Sequence, residues 1–142
     1  MKFPRPKILS YEEAIRFHGH NGPFLALGYK LGKYLNQNLK SKGIMDFKIT
    51  VIIKFEKPFT CLIDGLQCST FATFGKANMM VKKSKSNDII VFVEKGKRKY
   101  MYQITKKAMD ICLSAENLDK AARKIFRVPV NALWTFMPSH DL

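Results

Sequence analysis

Three residues combine metal-binding or nucleophilic side chains with positions where the chain turns: His18, His20 and Cys61. The two histidines flank Gly19 in "FHGHNGPF", Phe17 to Phe24. On one continuous helix, residues two apart point roughly 200° away from each other, so one helical face cannot hold both. A corner can. Gly19 predicts the end of one helix. Gly22-Pro23 predicts the start of another, because proline lacks the N–H that has no partner at a first helical position. The corner between them turns both imidazoles toward one point, which faces the N-terminus of the second helix. Free N–H groups there favour an anion or a thiolate. The same spacing also suits one histidine at a helix end and the other in solvent.

Cys61 falls just after a strand pattern and just before a helical one, a junction where functional groups are common. A free cysteine is more often a small buried hydrophobe, and that is the expectation for Cys68 and Cys112. In "TFGKAN", Thr73 to Asn78, a Gly-Lys turn offers Lys76 to an anionic substrate. Its spacing equally suits a helix C-cap at Gly75. Phe92, Tyr100 and Tyr102 stand at strand spacing and suit core and cross-strand pairing better than a base-stacking platform.

The elements that must position these groups follow from the pattern. Ser10, with Glu13 three residues on, is a capping box that opens a short helix ending near Gly19. The second helix runs from Pro23 to about Lys40, with Phe24, Leu27, Leu31, Tyr34 and Leu35 at helical spacing. Gly28 and Gly32 lie four apart inside it, each costing about 1 kcal/mol relative to alanine. A close-packed neighbour on that side accounts for both. "FKITVIIKFE", Phe47 to Glu56, reads as a buried strand. "CLIDGLQCSTFATFG" reads as a helix ending at Gly75. "NMMVKKS", "DIIVFVEK" and "RKYMYQIT" read as strands, the last two joined by a hairpin at Lys95-Gly96-Lys97. "AENLDKAARKIF" reads as an amphipathic helix, and "VPVNALWTFMP" as an apolar tail docked on the body. The order is helix, helix, strand, helix, three strands, helix, which predicts an α+β fold with a mixed sheet.

Composition bounds the rest. The 142 residues suit one domain spanning 1–142, large enough for a core without disulfide staples. No apolar run approaches the roughly 20 residues of a membrane span. "MKFPRPKILS" has basic residues but no following apolar region, so no signal peptide and a cytoplasmic setting are expected. Three cysteines make an odd count, which argues against a disulfide framework. The absence of Cys-x-x-Cys excludes a zinc ribbon. A net charge of +14 raises nucleic acid or another polyanion as partner. The lysines are spread along the whole chain, however, and recognisable RNA- and DNA-binding motifs are missing. A solvated lysine-rich surface is therefore expected.

The motifs resemble the FmdE family, which takes its name from formylmethanofuran dehydrogenase. Where that family has His-Gly-His-x-Cys-Pro-Gly-x-Ala-x-Gly, this chain has His18-Gly19-His20-Asn21-Gly22-Pro23-Phe24-Leu25-Ala26-Leu27-Gly28. A second motif is matched by Cys61, Asp64, Gly65 and Gln67, and a third by Thr70, Thr73, Gly75, Lys76 and Asn78. The resemblance covers about residues 10 to 105. It implies a mixed sheet flanked by helices, thioredoxin-like in outline, with an active site that holds zinc in some members. The C-terminal zinc finger of some members is not expected here.

Two family cysteines are replaced, by Gly22 and Ala72. Dithiol redox chemistry at those positions is therefore excluded. His18, His20 and Cys61 remain as the expected catalytic centre and zinc ligands. Three such ligands suffice for an open tetrahedral site whose fourth position takes water or an anion, and zinc-bound water would be the nucleophile. Lys76, Asn78 and Gln67 are the expected contacts to a small anionic molecule. With two thiolates lost, the zinc site is expected to be weak. One alternative is a catalytically degenerate family member that binds a ligand or partner subunit. A second is a basic polyanion-binding module. The apolar tail and the glycine-spaced helix also predict a homodimer.

Overall fold

In the computed structural model, residues 7–137 are described. The first helix, α1 (Tyr11–His18), starts at Ser10, whose side chain accepts from the Glu13 N–H while Glu13 accepts from the Ser10 N–H. Gly19 ends it in the left-handed region, at φ 109°. The second, α2 (Pro23–Leu39), has proline in its first turn and closes at Lys40. Then come β1 (Phe47–Ile53), α3 (Cys61–Thr70), β2 (Met79–Lys83), β3 (Ile90–Lys95) and β4 (Arg98–Ile104). They are followed by α4 (Lys106–Leu113), α5 (Leu118–Arg127) and β5 (Trp134–Met137). The result is an α+β fold with five described helices and a five-stranded mixed sheet of order β2-β1-β3-β4-β5. β1 and β2 are parallel, and every other pairing is antiparallel. No described helix is long and apolar enough to cross a membrane.

Alternation decides which sheet face is buried. Phe47, Ile49, Val51 and Ile53 of β1 and Val91 and Val93 of β3 share one core with Leu27, Leu31 and Leu35 of α2, Leu62 and Leu66 of α3, and Ile125 of α5. The glycines of α2 have the close neighbour their cost required. A Cβ at Gly28 would overlap the Leu62 carbonyl, and one at Gly32 would overlap the Ser69 hydroxyl. Gly28 meets Leu62 and Gly32 meets Ser69, so α2 and α3 run parallel. Their N-termini therefore lie at the same end of the molecule.

Three sequence expectations need correction. The third helix ends at Thr70, not at Gly75. Phe71 takes the left-handed conformation (φ 64°), and Thr70 turns its hydroxyl back to the Leu66 carbonyl while accepting from the Ala72 N–H. A fourth helix, α4, was not expected. Thr105 caps it by accepting from the Ala108 N–H, and Ala108, Met109, Ile111 and Cys112 form its buried face. The apolar tail forms β5, with Ile104 opposite Trp134 and Tyr102 opposite Phe136. The glycine stripe and the tail, the two features that predicted a homodimer, are thus both covered within one chain.

Candidate metal centre

The corner between α1 and α2 brings His18 and His20 together. Their rings are 4.6 Å apart between centroids and their Nε2 atoms are 3.1 Å apart. His18 Nδ1 lies 2.6 Å from the Asp64 carboxylate, and His20 Nδ1 lies 2.9 Å from the Asn21 carbonyl oxygen. Both of those partners are acceptors, so each Nδ1 carries the proton. In the neutral form of each ring, Nε2 is then the lone-pair nitrogen, and the two Nε2 atoms face each other. Two lone pairs so placed repel unless a positive charge, a proton or a metal ion, lies between them.

Cys61 supplies the third group. It opens α3, and parallel packing against α2 carries it to the histidine corner. The ligand atoms of His18, His20 and Cys61 all lie within 4.8 Å of one another, close enough to hold a metal. Two nitrogens about 2.0–2.1 Å from one tetrahedral centre are roughly 3.3 Å apart, near the 3.1 Å found here. The donor set of two imidazoles and one thiol therefore fits a divalent ion of the zinc type. Burial pushes the Cys61 thiol up, and the Asp64 carboxylate adds to this, outweighing the opposing effect of Lys57. The helix-terminus argument from the sequence thus does not by itself yield a thiolate.

A surrounding set of residues holds these groups in place. Asp64 faces the site from the first turn of α3. Gln67, one turn on, donates to Asp64 through Nε2 at 3.2 Å and accepts from the Phe74 N–H at 3.0 Å. Asn21 is anchored on both sides: it accepts from the Tyr11 hydroxyl at 2.6 Å and donates to Asp119 at 3.1 Å. This tethers the carbonyl that fixes His20 to both α1 and α5.

Beside the metal-binding groups lies a cleft of about 550 Å³, with Phe55, Lys57, Thr60, Gln67 and Phe74 on its walls. Of the three expected substrate contacts, only Gln67 lines it. The Lys76 ammonium donates to the Phe71 carbonyl and, at 2.9 Å, to the Thr73 hydroxyl, which ties down the exit of α3. Burial depresses its pKa. Asn78 is buried, donating to the Ile44 and Phe47 carbonyls and accepting from the Thr73 N–H. The cation in the cleft is instead Lys57, in a Lys-Pro turn that gave no motif signal. Asp64 was visible as a motif match, but its bond to His18 was not. Cys68 lies apart, buried with Ala14 and Tyr29. Of the two replaced positions, Gly22 touches the site, since a Cβ there would stand 3.5 Å from the His20 ring. Ala72 is buried in the core.

No curated protein matches this sequence. Residues 17–133, which include His18, His20 and Cys61, match the family model described as FmdE, molybdenum formylmethanofuran dehydrogenase operon, and the chain belongs to that family.

Proposed function

We propose that His18, His20 and Cys61 hold a divalent ion of the zinc type, and that the adjoining cleft binds a small anionic molecule beside it. The observation that carries this reading is the facing pair of Nε2 atoms with the Cys61 sulfur beside them. When bound, such an ion supplies Lewis-acid polarisation of an oxygen in its open position. The remaining roles belong to the chain. Asp64 fixes the tautomer and the orientation of His18, as partners of ligating histidines do. The Asn21 carbonyl does the same for His20. Lys57 attracts the anionic end of the bound molecule, while Phe55 and Phe74, each more than half exposed, give its body apolar walls.

A catalytically degenerate, ligand-binding member is the second reading. The replaced cysteines at 22 and 72 favour it. A cytoplasmic setting belongs to the same proposal and agrees with three free, buried cysteines.

Cobalt(II) titration tests the metal site. Saturation at one equivalent is expected, with the visible bands of a four-coordinate ion and a sulfur-to-metal charge-transfer band. Cys61→Ser should remove the sulfur band. His20→Ala should abolish uptake without unfolding the protein, because this exposed corner residue contributes nothing to the core. Cobalt spectra identical in wild type and both variants would overturn the assignment.

A further inference from the structure

At the far end of α2 from the histidine corner lies a second concavity. The helix has 17 residues, which separates its ends by about 25 Å. The cleft, of about 640 Å³, lies between the exit of α2 and the β3–β4 hairpin. Lys40 and Lys42 line one side, and Lys95, Lys97 and Arg98 the other. Their spread along the sequence hid this concentration. The fold joins two segments more than fifty residues apart into one basic surface.

The charge there is poorly compensated. Among the described residues, Asp46 is the one carboxylate paired with this group, 3.2 Å from the Lys95 ammonium. Its carboxylate also accepts from the Lys42 N–H. The C-terminal dipole of α2 offsets about half a charge beside Lys40. Lys95 and Arg98 stand directly opposite one another across the hairpin, a like-charge pairing that destabilises strands. The next rung, Glu94 opposite Lys99, has the opposite-charge arrangement that a structural role would favour. The hairpin is also tied to the body of the fold. Gly96 takes φ 61° in a two-residue turn, and Asp46 anchors Lys95.

We propose that this cleft is a second binding site, for a nucleotide-sized molecule bearing several linked phosphates. The guanidinium of Arg98 offers the forked donors that match phosphate oxygens, and the lysines add point charges. Leu39 and half-buried Tyr100 give an apolar wall for the rest of the molecule. The volume falls in the range of small-molecule sites. The cations encircle one concavity and do not run as a stripe, which favours a compact polyphosphate over a nucleic-acid strand.

The test is calorimetric titration of the full chain in low-salt, metal-free buffer with inorganic tripolyphosphate, orthophosphate and a single-stranded oligonucleotide. Tripolyphosphate is expected to saturate at one equivalent, with orthophosphate at least tenfold weaker. The exposed pair Lys97→Ser/Arg98→Ser should weaken tripolyphosphate at least tenfold while keeping the wild-type circular dichroism and urea midpoint. His20→Ala should bind it as wild type does, separating this site from the metal centre. The proposal is overturned by no saturation with tripolyphosphate, or by equal binding in the double variant. Loss of binding in His20→Ala, or an oligonucleotide that binds tenfold more tightly than tripolyphosphate, would also overturn it.

Discussion

His18 and His20 face each other through Nε2 atoms 3.1 Å apart, each with its Nδ1 proton committed to an acceptor behind it. Asp64 holds one ring from α3, and the Asn21 carbonyl holds the other from within the corner. The expected effects of disturbing this arrangement differ with the residue changed.

Asp64→Ala leaves His18 without its acceptor. Removing the group that orients a ligating histidine costs about 10–100-fold in metal affinity, and that range is expected in a chelator competition. Because Asp64 is only part-buried, circular dichroism should not change. Unchanged affinity would remove Asp64 from the site.

Gly22→Cys restores a thiol at the one replaced position that touches the centre. Gly22 has extended backbone (φ −178°), which any residue adopts, and the space beside His20 accepts a Cβ at ordinary contact distance. Zinc affinity should rise at least tenfold, since the new ligand is soft and negatively charged. No gain in the same competition assay would mean that the added sulfur does not reach the metal.

Gly28→Ala drives a methyl group into the Leu62 carbonyl, in backbone that cannot swing aside. Overpacking of this type costs about 1–3 kcal/mol or more, and the urea midpoint should fall accordingly. Gly75→Ala, with nothing within 4 Å of the added carbon, should leave the midpoint close to wild type. Equal midpoints for the two variants would show that α2 and α3 are not locked by the glycine.

Burial pushes the Tyr11 and Tyr102 phenols and the Cys112 thiol each up to about 12, and the Cys68 thiol up to about 11. The unfolded chain releases these protons near pH 8.5 for cysteine and 10 for tyrosine. Above those values the folded state holds more protons than the unfolded state, so stability falls as pH rises. The contribution is complete below about pH 8.5 and should drain away between there and pH 12. Urea midpoints taken from pH 8 to 11 should decline, and Tyr102→Phe should flatten part of the decline. A midpoint constant across that range would contradict these environments.

With the tail and the glycine stripe covered, the homodimer expected from the sequence would have to use the sheet face turned away from the core. Cross-strand register aligns Met80, Thr50, Phe92, Met101 and Met137 there in one row. Sedimentation should give twice the 16.3 kDa of one chain, and Phe92→Lys should return it to a monomer. A monomer at every concentration would refute the dimer.

Much of this was legible locally. The capping box at Ser10, the left-handed Gly19 and the proline after Gly22 each act within one turn of chain, so the corner that pairs the histidines could be read from the sequence. Phe47–Ile53 read as a buried strand from its β-branched, apolar residues, and Gly28 and Gly32 announced a close neighbour without naming it. The contribution of tertiary structure was to choose partners. Thr70 and Phe71 ended α3 five residues before the glycine that seemed to cap it, because Lys76 and Asn78 tie down the loop that follows. Those two residues tie the loop through their side chains, while Lys57 lines the cleft. Asp64 met His18, and Lys40 came to line one cleft with Arg98, across sequence separations that no local pattern encodes. Turns and caps are fixed by neighbouring residues along the chain. The pairing of distant polar groups is fixed by how α2 and α3 pack against each other and onto the sheet, and that is a property of the whole core.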